Sequence, residues 1–386
     1  MRTLTAEQLA YLTDVRHALH QHPEISGEEE QTAKRIVQEL TNAGADRIWQ
    51  GLGGYGVAAE FKSDQPGPTL LFRCELDALP ITEKSELAYR SACHGKGHLC
   101  GHDGHMSIVL GVALGLAQRP SHGRVILLFQ PAEETGAGAQ AVISDPRWPD
   151  IRPDYAFAYH NAPGRPLGEV GISDGTATCA SRGMQINFHG KSSHAAKPED
   201  GVSPGSAMAD LMQTIPTLSS GSINDDDYGL CTLTYANLGR PTFGVAPGEG
   251  ELRVTLRSKT DDRMNEMIST IQGLIDEVDP VITTEVHWHD VFPAGTNQVQ
   301  STDISRVAVK KRQLTLYDMP NPMSWSEDFG HFSLDGANAT MLFLGAGTDQ
   351  PQLHNPDYDF PDELIGIGAE LLLEIIDTTL ANDTGK

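Results

Sequence analysis

The sequence predicts an α/β protein: a domain built on a mixed sheet, interrupted by an inserted ferredoxin-like α+β domain. Three observations predict it. Four short apolar runs, TLLF from Thr69, RVILLF from Arg124, YAFAYH from Tyr155 and TMLFLG from Thr340, alternate with helical segments. That is the pattern of buried strands in an α/β sheet. The middle of the chain has a different rhythm, β-α-β-β-α-β, which is the order of a split βαβ unit. The length, 386 residues, exceeds what one ordinary core holds and suits two domains. The expected boundaries are 1–178 with 294–386 for the first domain and 179–293 for the insertion.

The elements follow in order. Leu9, Leu12, Val15 and Leu19 recur at helical spacing, and His22-Pro23 ends that run. Ser26 stands three residues before Glu29, a capping-box pattern that predicts the start of a second helix. Ile36, Val37 and Leu40 continue its apolar stripe, and Gly44 is its expected stop. A helix is predicted over 105–117; its IVLGVALGLA run is apolar on every side, yet far shorter than a membrane span. In the insertion, MQINFHG is a strand, 203–218 a helix, LCTLTYANLG and GELRVTLRS alternating strands, 261–278 a helix and ITTEVHWHDV a closing strand. No repeat or low-complexity linker occurs.

Lys and Arg number 28 against 52 Asp and Glu, a formal charge of −24. That charge argues against nucleic acid or an anionic membrane as a partner. The opening MRTLTAEQLAYLTDVRH is polar where a signal peptide needs an apolar run, so a cytoplasmic setting is expected. The five cysteines are scattered and odd in number, unlike a disulfide framework. A reducing compartment would leave one of them available for chemistry. A redox role for Cys100 has little support, because no second cysteine stands at a resolving distance in the sequence.

Residues of catalytic type collect where the four apolar runs end. TLLF leads to Arg73, Glu75 and Asp77; RVILLF to Gln130, Glu133 and Glu134; YAFAY to His160; TMLFLGAG, a little later, to His354. Open α/β sheets bind ligands beyond the carboxyl ends of their strands, so four such deliveries predict a site on that edge. A second cluster is HLCGHDGH, where the Cys100 thiolate and the His102 imidazole suit zinc, cobalt, nickel or manganese. The pair alone also fits a buried cysteine beside a surface histidine, and His105 is read as starting the next helix. Glu133 and Glu134 would repel one another if buried without a cation. One could bind metal while the other takes a proton from water; a solvated helix start is the other reading of the pair. His17, His20 and His22 are read as structural, His94 and His98 as flanking the motif, and His287 and His289 as surface residues. Cys74, Cys93, Cys179 and Cys231 are read as packing residues.

FRCELDALPITE, HLCGHDGH, FQPAEETGAG, AYHNAP, HGKSSHAAKPEDG, SEDFG and LHNPDYDF occur in that order. With them, and from RHALHQHPE to the last helix, the chain resembles the metal-dependent amidohydrolases that include hippurate hydrolases, N-acyl-amino-acid deacylases and auxin-conjugate hydrolases. These are a branch of the aminoacylase and carboxypeptidase-type metallopeptidase superfamily. The resemblance implies two divalent ions (zinc, manganese, cobalt or nickel) held by Cys100, His102, Glu134, His160 and His354, with the Cys100 thiolate as bridge. It implies Glu133 as general base and Asp77 as the residue that orients a ligand imidazole. His194 matches a histidine of the inserted domain that polarises the scissile carbonyl, often across a dimer. Arg257 matches a position that could grip a substrate carboxylate; a surface arginine on a strand is the alternative.

The implied partner is a small N-acylated amino acid or dipeptide-like substrate, and the implied assembly a homodimer or higher homo-oligomer, with the insertion as lid and dimerisation domain. The alternatives are a dipeptidase or carboxypeptidase with the same metal chemistry, and a non-catalytic metal- or ligand-binding protein. Three departures bear on the substrate. Gly244 stands where the family often has asparagine, Glu75 where it has aspartate, and Ser192-Ser193 where it has its own small pair.

Overall fold

Four strands form the centre of an eight-stranded mixed sheet: Arg124–Gln130, Thr69–Glu75, Tyr155–Ala162 and Asn338–Gly345 lie side by side in that order, all parallel. The computed structural model describes residues 1–382. The central strands are continuous apolar runs rather than alternating ones because both of their faces are covered; every residue of Thr69–Glu75 is buried. Gly56–Lys62 and Arg47–Leu52 extend the sheet antiparallel on one side. Val170–Ile172 pairs antiparallel with Asn338–Gly345 on the other, and Leu316–Asp318 runs parallel to it. Parallel pairing brings four carboxyl ends to one edge, and this is what assembles the site.

The helix His102–Gly115 packs against Ala6–His20 and Glu363–Asn382. Its apolarity has no preferred side because nearly all of it is buried. Glycines let the neighbours approach: a Cβ on Gly111 would stand 2.7 Å from that of Ala369, and one on Gly104 would enter the Phe360 ring. The helix starts at His102, three residues before the predicted start, so His105 lies inside its first turn.

The capping box expected at Ser26 and Glu29 does not form. The second helix is Glu30–Asn42, and its start carries no side-chain cap. Ser26 Oγ instead donates to Asp77 Oδ2 at 2.7 Å, a charge-assisted bond to a buried carboxylate. A capping box does close the first helix, where Thr5 Oγ1 accepts from Gln8 N and Gln8 Oε1 accepts from Thr5 N. Gly44, at φ +77°, follows the second helix as expected of a stop residue.

The chain divides into two compact units: Met1–Ala177, Gly295–Met319 and Asp328 onward form one, and Thr178–Ala294 with Pro320–Glu327 the other. The short 320–327 segment thus clusters with the second unit, although the sequence reading places it in the first. The second unit holds an antiparallel sheet in the order Gly229–Leu238, Glu249–Ser258, Ala180–His189, Thr283–Phe292. Alternation explains its faces. Met184, Ile186, Phe188, Leu252, Val254 and Leu256 point into a core shared with the helices Gly205–Thr214 and Asp261–Asp276. Their neighbours Gln185, Asn187 and Arg253 take the other face.

Candidate metal centre

Every metal-ligand candidate of the sequence lies in the first unit, on the edge where the parallel strands end. His160 sits within the strand Tyr155–Ala162, just short of its end. Glu133 and Glu134 follow the strand Arg124–Gln130 through a turn at Pro131-Ala132. Cys100 immediately precedes Gly101, whose φ of +95° starts the central helix and whose Cα packs on the Asn161 side chain, so a Cβ there would meet Asn161 Oδ1 at 2.5 Å. His354 follows the last strand, held by its own N–H to Leu99 O at 2.8 Å, in the left-handed region at φ +66°.

The donor atoms form two overlapping triads. Those of Cys100, His102 and His160 lie within 4.8 Å of one another, as do those of Cys100, Glu134 and His354. Cys100 belongs to both. A third group within the same limit joins His102, Glu133 and Glu134. Cys100 Sγ is 3.4 Å from His160 Nε2, His102 Nε2 is 3.8 Å from Glu134 Oε1, and His354 Nε2 is 3.7 Å from Glu134 Oε2. The last two are too long for hydrogen bonds. They are within the roughly 4.2 Å that can separate two donors sharing one ion at bonds of about 2.1 Å.

The outer hydrogen bonds aim the imidazoles. His102 Nδ1 donates to the backbone oxygen of Asp77 at 2.8 Å, with Asp77 Oδ1 at 3.7 Å, so its Nε2 lone pair faces the cluster. His160 Nδ1 donates to Asn161 O at 2.9 Å, which turns its Nε2 toward Cys100. His102 Nε2, Glu134 Oε1 and Asp77 Oδ1 are buried without a hydrogen-bond partner. Orphaned buried atoms of this kind are costly unless a cation satisfies them. Burial pushes Glu134 up to about 7. Burial opposes a proton on His102, but Glu75, Asp77 and Glu134 outweigh it and raise the imidazole to about 10. The pocket draws positive charge, and the residues fit a divalent cation.

A second network lies behind the first, and sequence reading missed it. Glu75 takes a hydrogen bond from Arg73 and lies 2.7 Å from His105 Nδ1; His105 Nε2 is 2.5 Å from Asn161 Oδ1, and Asn161 Nδ2 donates to Tyr358 Oη. Both nitrogens of His105 are therefore engaged and point away from a ligand role. Burial works against ionised Glu75, yet Arg73, His105 and His102 hold it well below the usual carboxylate range. His20, read as structural, lies buried between Asp103 and Glu83 at 2.9 and 3.2 Å. His98 is buried too, and burial lowers it to about 4. His287 and His289 are exposed on the edge strand of the second unit.

The other two candidates belong to the second unit. His194 is exposed on a two-residue strand paired with Val245–Ala246, and Ala195 N donates to Gly244 O at 3.0 Å. Ala196 N donates to His194 Nδ1 at 3.0 Å, which places the proton of the neutral ring on Nε2. Arg257 is partly committed: its Nη1 donates to Ser324 O and Ser326 Oγ, both at 3.2 Å.

Comparison with known proteins shows the family of the chain. The model of peptidase family M20/M25/M40 matches residues 71–378. An N-acetyl-L-cysteine deacetylase of Bacillus subtilis is 31% identical over 92% of this chain and 84% of its own length. A hippurate hydrolase of Campylobacter jejuni is 28% identical over 92% of this chain and 93% of its own. Among solved structures, a Bacillus subtilis protein described as a dinuclear metal binding peptidase of the M20 family superposes with a TM-score of 0.81 at 23% identity, covering 98% of this chain and 100% of that one. A family match over most of the chain and a relative of this similarity and coverage are sufficient: the chain belongs to peptidase family M20/M25/M40.

Proposed function

We propose that this metal-dependent amidohydrolase cleaves the amide bond of small N-acyl amino acids at a two-ion centre held by Cys100, His102, Glu134, His160 and His354. The observation that carries the reading is the pair of donor triads that overlap at Cys100, next to a second buried glutamate. The names of the deacetylase and hippurate hydrolase relatives support the substrate class. Zinc, manganese, cobalt or nickel ions, when bound there, lower the pKa of water and act as Lewis acids toward a carbonyl.

The chain's own groups do the rest. Glu133, 3.9 Å from His102 Nε2 and 3% exposed, takes the proton of the attacking water and returns it to the leaving nitrogen. Asp77 holds His102 in the tautomer that leaves Nε2 available. His194 donates its Nε2–H to the carbonyl oxygen as negative charge develops there. The remaining guanidinium donors of Arg257 offer a charge to the substrate carboxylate. The protein acts in the cytoplasm as a homodimer, with the second unit as lid and dimerisation surface; the exposed Tyr235, Leu238 and Phe243 on that unit favour self-association.

A dipeptidase or carboxypeptidase would use the same centre, and parallel assays of N-acetyl amino acids and dipeptides separate the two. Glu133→Gln tests the mechanism. It keeps the shape of the site, so metal content stays as in the wild type while turnover falls at least about a hundredfold, the lower range of general-base catalysis. A metal-replete Glu133→Gln protein with full activity would contradict the role of Glu133.

A further inference from the structure

The segment from Glu24 to Glu29 runs along the back of the carboxylate cluster. Ala78 N donates to Glu24 O at 2.8 Å, and Ile25 bridges to Ala78. From this segment Ser26 reaches Asp77, as described, and Glu29 Oε1 accepts from Ala132 N at 2.8 Å. Glu29 is fully buried although it stands at the start of a helix, and its side chain makes no cap to that helix. A carboxylate buried there for the helix's sake would turn back onto the helix N–H groups. This one turns away.

Its partner is a strained residue. Ala132 has φ +49°, in the left-handed region that a side chain disfavours. Pro131 before it has no N–H, so the N–H of Ala132 is the first backbone donor after the strand. Ala132 O accepts from Gly138 N at 3.1 Å and Thr135 Oγ1 at 3.2 Å. Glu29 thus closes the one remaining tie on a turn that leads directly into Glu133 and Glu134. Glu134 N in turn donates to Asp77 Oδ2 at 3.0 Å, the same oxygen that Ser26 engages.

We propose that Glu29 is a positioning residue for the catalytic carboxylates: its Oε1, bound to the Ala132 N–H, holds the turn left-handed and so presents Glu133 and Glu134 to the centre. The acceptor matters, not the charge. The proposal rests on the reading of Glu133 as general base.

Three variants test it. Glu29→Met fills the same space without an acceptor; Glu29→Gln keeps the acceptor; Glu29→Met with Ala132→Gly removes the strain the acceptor holds. Each is purified with its metal content and melting temperature measured, and kcat and KM are determined on an N-acetyl amino acid. Glu29→Met is expected to lose at least about tenfold in kcat, the scale of one orphaned buried donor, with KM within about threefold of wild type. Glu29→Gln stays within about threefold in kcat, and the Ala132→Gly double variant regains most of the loss. Wild-type kcat in Glu29→Met would overturn the proposal. So would a loss that neither Glu29→Gln avoids nor Ala132→Gly restores, because that is how a merely structural glutamate would behave. Should Glu133→Gln be fully active, the assignment of the base fails instead, whatever the Glu29 variants do.

Discussion

His102 shows what a residue's neighbours add to its type. Its spacing from Cys100 is legible in the sequence as a ligand pair, but only Asp77, 25 residues away, fixes which nitrogen is available. The five ligand candidates and Glu133 stand out in the sequence because each lies in or follows an apolar strand or sits in a glycine-bounded motif, and their roles there are what the resemblance implies. His105 could not. Its partners Glu75 and Asn161 lie 30 and 56 residues distant, so the sequence shows a histidine in a motif and not a buried relay. Glu75, read as a departure that bears on the substrate, is buried behind the ligand candidates, joined to Arg73 and His105.

His20 gives a prediction at this scale. Burial opposes its charged form, but Asp103 and Glu83 outweigh burial and raise its pKa from 6.5 to about 10. A pKa raised by folding stabilises the protein below the unfolded value and ceases to do so as pH rises through the folded one. The melting temperature of the metal-free protein is therefore expected to fall between pH 6.5 and 10, and His20→Gln is expected to flatten that fall. Calorimetry of both proteins across that range checks it; parallel curves would remove His20 from the account.

At the scale of elements, periodicity recovered most helices and strands, and the errors have physical causes. A Ser-x-x-Glu pattern was available at Ser26 and Glu29, and a Thr-x-x-Gln pattern at Thr5 and Gln8; only the second caps a helix. The pattern is local, whereas Ser26 and Glu29 are claimed by Asp77 and Ala132, just past the ends of distant strands. The central helix begins earlier than predicted because GHDGH looks like a loop until the neighbours that need its glycines are known. Gly111 tests that explanation. A Cβ there would be 2.7 Å from Ala369 and 3.2 Å from Leu12, so Gly111→Val overpacks the joint between three helices. It is expected to cost about 1–3 kcal/mol in denaturant unfolding. An unchanged midpoint and slope would show that the helices are not packed as described.

At the scale of the whole molecule, the sequence's change of rhythm marks a β-α-β-β-α-β region, and the long strands and the two α-helices of the second unit follow one another along the chain in that order. What rhythm could not show is the 320–327 segment, which returns to the second unit after a helix and two short strands of the first and is met there by Arg257. A residue read as a grip on substrate is thereby partly a tie within its own unit. The charge of −24 is a property of the whole chain; Glu133, Glu134 and Asp77 are part of it, the two glutamates gathered with Cys100 and the histidines into groups that could hold a cation.

Metal stoichiometry tests that claim most directly. Wild-type protein, His160→Ala and His354→Ala are each stripped with chelator, reloaded with manganese or zinc, and measured by elemental analysis. Because His160 and His354 belong to different triads that share Cys100, the account predicts about two ions per wild-type chain and about one in each variant. One ion in the wild type, or two retained in both variants, would contradict the two-ion centre.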